Sequence, residues 1–339
     1  MNPFNKRLKE VQMLMSRAGL NAVLTTSLNN ILYYTGAEML QGERAFLVIS
    51  KSGNIDLFVS PLVNFLEGLK TANIHFLNNF KDLKKVIAKH KKIGYDERSI
   101  SVNLYKKLNI KGVRFYPAGD ITRKPREIKD STEISSITKA IKVTESVLKN
   151  IKFGGKTEFQ TTADVDYGFR ERGALNAFET IVSSGKRTAL IHCTPQNKKI
   201  QKNDMVLIDC GAKVNGYCAD MTRMFCKKPD KKQRLILEDV VDTQKSVIDK
   251  ITEGVNMKNV DNHYKKLMNK KGYQVFHSFG HGVGINVHEG PFNGELKSGM
   301  ILTVEPGVYI KGFGGCRIED MVLVRKDKPK ILSVLPRSF

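Results

Sequence analysis

Four acids fall in two short stretches where an unpaired carboxylate is costly. In "LIDCGAKVNGYCADMTR", residues 207–223, Asp209 and Asp220 sit among alternating apolar residues. Asn215-Gly216 is the favoured two-residue turn pair between strands of that pattern, so Val214 faces Tyr217, Asp209 faces Thr222 and Gly211 faces Asp220. The two acids are then diagonal neighbours on one face. Like charges at that separation raise each other's pKa and weaken the fold unless a cation or a shared proton lies between them. A metal ion is the economical account. A solvated face carrying two unconnected acids is the other reading of this segment alone.

The second stretch, "LTVEPGVYIKGFGGCRIEDMVLV" at 302–324, repeats the puzzle: a hairpin centred on Gly312 pairs Glu305 directly with Glu319. Between the two lies "FHSFGHGVGINVHEGP", with His277, His281 and His288 among glycines that let backbone approach a ligand closely. A lone histidine is a core or surface residue more often than a ligand, but here it adds one nitrogen to an oxygen-rich set. Two Asp, two Glu and one His can hold two divalent ions, Mn, Fe, Co or Zn rather than a thiolate-bound metal. Such a pair activates water and clamps a polarised carbonyl, so the chemistry implied is hydrolysis.

The elements that must position these residues fall into two parts. Over the first, "NAVLTT", "AFLVIS", "IDLFVS" and "VRFYP" read as strands, with helical patterns near 4–18, 61–71, 79–91 and 101–109. This is an α/β domain, 1–122, without a catalytic cluster of its own. "PAGDITRKPREIKDSTEI" marks the boundary and offers Asp130 or Ser131 as a helix N-cap. From 130 to 339 helices near 131–151, 157–172, 231–253 and 257–271 accompany hairpins at 205–226 and 301–325, an α+β pattern.

Composition excludes several classes. With 41% hydrophobic and 27% charged residues over 339, the chain reads as a soluble globular protein. No apolar run approaches the ~20 residues that span a bilayer. The opening "MNPFNKRLKEVQMLMSRAGL" reads as an amphipathic helix without the apolar core of a signal peptide, and five cysteines with no C-x-x-C pair suit a reducing compartment. The expected location is cytoplasmic. Cys193 and Cys210, each next to a candidate site residue, read as core thiols. The net charge of +22 invites a nucleic-acid hypothesis. Its distribution opposes one: 18 basic residues against 9 acidic in 1–120, and 38 against 25 in 121–339, leave only short clusters such as "KHKK" and "KKPDKKQR". Neither a specific nucleic-acid partner nor a membrane is expected.

The series "FETIVSSG", "LIDCGAKVNGYCADMTRMF", "GHGVGINVHEGP", "TVEPGVYI" and "GGCRIEDMVLV" resembles, in order, the Xaa-Pro peptidase branch (prolidase and aminopeptidase P) of the creatinase and methionine aminopeptidase family. "NNILYYTGAEML", "FLVISKSGNIDLFVS" and "REIKDSTEI" resemble that branch's smaller domain and linker less sharply. The resemblance implies a pita-bread catalytic domain in which Asp209, Asp220, His281, Glu305 and Glu319 bind two divalent ions, Mn or Co first and Fe or Zn after. It implies that His192 in "TALIHCTP" lies near the scissile bond, that His288 faces the substrate, that Glu305 doubles as proton shuttle, and that Thr222 and Arg317 support the ligands. It further implies a homodimer acting on small peptides at the bond before proline. Creatinase-type amidohydrolysis without metal, a non-proline aminopeptidase and a non-enzymatic pita-bread binding protein are the alternatives on this fold. Two departures stand out: "LIHCTPQN" differs after the histidine, and "HEGPFNGELKSGM" is short for a loop that shapes the substrate pocket.

Overall fold

A computed structural model of the chain describes residues 3–63, 66 and 69–338. They fall into two compact units divided between Arg126 and Glu127.

In the first unit six strands, β1 (Ala22–Thr25), β2 (Ala45–Ser50), β3 (Ile55–Val59), β4 (Asn73–Phe76), β5 (Lys92–Tyr95) and β6 (Arg114–Pro117), form one sheet in the order β4-β3-β2-β1-β5-β6. β1–β2 and β2–β3 are antiparallel and the other three pairs parallel. Helices α1 (Pro3–Arg17), α2 (Leu28–Thr35), α3 (Phe80–Ala88), α4 (Val102–Lys107) and α5 (Gly119–Arg123) accompany it. The sheet's apolar face buries Ala22, Leu24, Phe46, Val48, Phe58 and Ile93 against Leu83 and Ile87 of α3. Four of these elements escape periodicity. β4 and β5 are four residues each, and β5 opens inside the basic "KHKK" run. α2 is set by its ends, Ser27 accepting from the Asn30 amide and Gly36 turning at φ 79°. α5 occupies the stretch expected as linker. The helix expected at 61–71 falls partly on 64, 65, 67 and 68, outside the described residues.

The second unit opens with α6 (Ser131–Asn150), fixed by a capping box in which Asp130 and Glu133 each accept the other's backbone amide. α7 (Glu158–Glu171) follows. Then come β7 (Leu175–Asn176), β8 (Ile181–Ser184), β9 (Val206–Cys210), β10 (Ala212–Val214), β11 (Tyr217–Cys218) and β12 (Met221–Phe225). α8 (Lys231–Ile248) and α9 (Met257–Lys270) lead to β13 (Ile301–Val304), β14 (Gly307–Ile310), β15 (Gly314–Arg317), β16 (Asp320–Leu323) and β17 (Lys330–Ile331). The helix expected to reach 253 stops at Ile248, and the chain reverses through Gly254 at φ 84°.

The two acid-bearing hairpins keep the expected register but are not continuous. Val214 pairs with Tyr217 across a turn in which Asn215 has φ 51° and Gly216 φ 79°, and Asp209 pairs with Thr222. The ladder breaks where β9 passes into β10, and a Cβ on Gly211 would lie 1.9 Å from the Ala219 carbonyl oxygen. In the second hairpin Val304 pairs with Asp320 and Gly307 with Arg317, which sets Glu305 against Glu319. Glu305 and Glu319 both lie in the gap between the ladders, next to Pro306, which has no amide to offer. Three of the four acids therefore occupy interruptions, where side chains from both hairpins can turn toward one point.

Candidate metal centre

The histidine-bearing run reaches those acids by pairing with β13. The Thr303 amide donates to the His281 carbonyl at 2.8 Å, Glu305 N to Phe279 O at 2.8 Å and Val283 N to Ile301 O at 3.1 Å. Phe279–Val283 thus runs antiparallel beside the strand that ends at Glu305. A Cβ on Gly280 would lie 2.0 Å from the Thr303 oxygen, so only glycine permits the approach.

Asp220, His281 and Glu319 each offer a ligand atom within 4.8 Å of the others. His281 Nε2 lies 3.6 Å from Asp220 Oδ2 and 3.5 Å from Glu305 Oε1. These contacts are not ion pairs. Burial first, then the neighbouring His288, holds the His281 imidazole down to about 4, so it is neutral near pH 7. With Nδ1–H donating to the Gly282 carbonyl at 3.2 Å, the Nε2 lone pair faces carboxylate oxygens. Lone pairs turned on one another require something positive between them.

The carboxyls show the same strain. Burial pushes Asp220 well above its ordinary range, and the charges of Glu319, Asp209 and Glu305 add to it. Glu319 is raised by burial, then by Glu305 and Asp209. Burial lifts Glu305 to about 7 against the opposing charge of Arg317. Asp209 Oδ2 accepts from Arg317 Nη2 at 2.6 Å, while its buried Oδ1 has no hydrogen-bond partner among the described residues. Such an orphaned oxygen is expensive unless it has a ligand. Oxygen donors with one imidazole nitrogen suit a hard or borderline divalent cation.

Supports surround the acids. Thr222 Oγ1 donates to Glu319 Oε2 at 2.7 Å and accepts from Arg317 Nε at 3.0 Å. Thr303 Oγ1 contacts Glu305 Oε1 at 3.4 Å. The His288 ring is exposed and lies against His281 at 4.1 Å between centroids, its turn held by Glu289, which is paired with buried Lys129 at 3.2 Å. His192 is exposed on a turn after β8, near enough to His288 that repulsion between the two rings adds to burial in lowering His288. Cys193 and Cys210 are both buried, although Cys193 stands on a loop rather than a strand.

Two residues beside the site, His277 and Tyr309, had no role assigned from the sequence. Arg317 Nη1 donates to the Tyr309 hydroxyl at 3.1 Å, and that hydroxyl donates to His277 Nε2 at 2.9 Å. His277 Nδ1 in turn donates to the Ser278 carbonyl at 2.9 Å. Tyr309 had one readable signal: it stands four residues after Glu305, on the same strand face.

Residues 135–326 match the model of metallopeptidase family M24, and residues 7–128 match the creatinase/prolidase N-terminal domain. The Xaa-Pro dipeptidase of Pyrococcus horikoshii is 33% identical, with all of both chains covered. The structure of a Xaa-Pro dipeptidase from Bacillus anthracis superposes with a TM-score of 0.92 at 26% identity, covering 99% of each chain. That of an X-Pro aminopeptidase from Thermotoga maritima gives 0.89 at 30% identity, covering 98% of each.

Proposed function

Because the chain belongs to metallopeptidase family M24 and carries the creatinase/prolidase N-terminal domain ahead of it, we propose that it hydrolyses the peptide bond before proline in Xaa-Pro dipeptides or at peptide N-termini. It is a metallopeptidase of the α+β, pita-bread class, with relatives named Xaa-Pro dipeptidase over its whole length. The observation that carries the reading is the His281 Nε2 lone pair set among the buried carboxyls of Asp220 and Glu319 and the half-buried carboxyl of Glu305.

Asp209, Asp220, His281, Glu305 and Glu319 would hold two divalent ions, Mn or Co. When bound, the ions make water nucleophilic at neutral pH and polarise the scissile carbonyl. The chain's own residues do the rest. Glu305, at the edge of the cluster 3.5 Å from His281 Nε2, would accept a proton and deliver it to the leaving amine. His288 and His192 donate to the substrate and to the oxygen that gains charge. Arg317 and Thr222 hold Asp209 and Glu319 in place. A proline nitrogen has no N–H to donate, so selection for it rests on shape.

Metal-free amidohydrolysis is disfavoured because it leaves the orphaned Asp209 oxygen without a counter-charge, and a purely binding role because relatives similar over the whole chain are named Xaa-Pro dipeptidase. The same reading includes a homodimer and a cytoplasmic location. The location is supported by five free thiols. Among the described residues no helix is long and apolar enough to cross a membrane.

The test compares kcat/KM for Ala-Pro, Ala-Ala and Ala-Pro-Ala with the Mn-loaded protein. Ala-Pro should exceed Ala-Ala by roughly 10- to 200-fold, the range a shaped apolar pocket supplies. Equal rates for the two would remove proline specificity and leave the metal hydrolase standing. The tripeptide decides between dipeptidase and aminopeptidase.

A further inference from the structure

Among the described residues His192 makes no hydrogen bond through its ring, so the backbone around it must aim it. Before it, the Thr188 hydroxyl accepts from Gly315 N at 2.7 Å, and the Ile191 carbonyl accepts from Arg317 Nη1 at 3.4 Å. After it, the Thr194 carbonyl accepts from Arg187 Nη2 at 2.7 Å, and the same nitrogen lies 3.1 Å from Cys193 Sγ. Arg187 is seated by its Nε on Glu158, 3.1 Å away.

Glu158 is an unusual seat. It stands in the first turn of α7 with no solvent exposure, and its carboxylate accepts from Ser184 N at 2.9 Å, Ser184 Oγ at 2.8 Å and Gln196 N at 3.0 Å as well as from Arg187. Ser184 ends β8 and Gln196 follows the histidine loop. One buried carboxylate therefore clamps both ends of the segment 184–196, and the arginine it holds reaches the two residues that follow His192. Among the described residues neither Glu158 nor Arg187 is bonded to a candidate metal ligand.

We propose that Arg187, seated on Glu158, is a positioning residue that fixes His192 toward the substrate side of the centre. The inference rests on the reading that His192 contacts substrate. Arg187 suits the task because its planar fork binds the carboxylate with one edge while another nitrogen serves a carbonyl. An ammonium at this position can reach Glu158 or Thr194, but not both.

The experiment is a double-mutant cycle with Mn-loaded protein and Ala-Pro, using Arg187→Gln, Arg187→Lys, His192→Ala and each pair. Arg187→Gln should lower kcat by about tenfold or more with KM little changed, as expected for a bond that strengthens late in the reaction. Arg187→Lys should recover part of that loss. His192→Ala alone should cost on the order of 10²-fold. Adding either Arg187 change to His192→Ala should cost nothing further, because the group being positioned is already gone. Mn affinity by calorimetry should match the parent in every variant. If Arg187→Gln does not fold, the cycle with Arg187→Lys decides alone by the same criterion. A full, additive loss in the His192→Ala background, or a fall in Mn affinity, would overturn the positioning role while the peptidase reading stands. Parental turnover in His192→Ala would instead sink the role given to that histidine, and with it the aim of the clamp.

Discussion

Thr222 joins two charged groups that would otherwise have to find each other unaided. Its hydroxyl donates to Glu319 and accepts from Arg317, and Arg317 also grips Asp209, so one side chain registers acids from both hairpins. Thr222→Val keeps the volume and removes both bonds. We expect Mn affinity to fall ~10- to 100-fold, the usual effect of removing a group that orients a ligand. The melting temperature should also drop, since a buried guanidinium nitrogen loses its acceptor at ~1–3 kcal/mol. Titration calorimetry and thermal unfolding check the two effects separately; unchanged affinity would show that Glu319 needs no orientation. At this scale the crowding of the acids was legible because carboxylates in an apolar alternation demand a partner, whereas the choice of His281 from three histidines came with the family resemblance. The parts played by His277 and Tyr309 were not legible, because they depend on a chain of bonds ending at Arg317, and no spacing rule encodes a three-body contact.

The pairing of Phe279–Val283 with β13 is the element on which the centre depends. A glycine-rich run carries no strand alternation, so its β-like course was invisible in sequence, whereas the Asn215-Gly216 turn and the register it imposes were plain. The interruptions at Gly211 and at Glu305-Pro306 were also unreadable as breaks, because alternation persists across them. Gly280→Ala tests the element. Its Cβ meets backbone, which cannot swing aside, so the run must lift from β13 and carry His281 with it. Overpacking of this kind costs ~1–3 kcal/mol. The variant should melt earlier and bind Mn more weakly. Gly154→Ala, where an added Cβ meets nothing within 4 Å, should stay within about 0.5 kcal/mol of the parent. Parental Mn binding by Gly280→Ala would mean that His281 does not depend on the pairing.

For the whole molecule, the crowded acids make stability depend on metal and pH together. Burial raises Asp220, Glu305 and Glu319 in the fold, Glu305 from 4.5 to about 7. Without a cation the folded state then binds more protons than the unfolded chain between those values, so stability falls as pH rises through that window. Histidines held low by burial, His277, His281 and His288, act in the opposite sense below 6.5. Their contribution is shared by the metal-free and metal-loaded proteins and largely cancels in the difference. Bound Mn keeps the carboxylates ionised, so the gap in melting temperature between Mn-loaded and chelated protein should widen from pH 5 to about 7, the window set by Glu305. Melting curves in chelator and in Mn at half-unit intervals measure it; a gap that narrows with pH would mean that the acids do not face the cation.

Hydrolysis by this protein should depend on metal held in this one cluster. Chelator-stripped protein titrated with Mn while Ala-Pro hydrolysis is followed tests it in a single curve. We predict no turnover in the stripped protein and a rise that reaches its plateau at two ions per chain. Full hydrolysis by the stripped protein, or none with two ions bound, would contradict it.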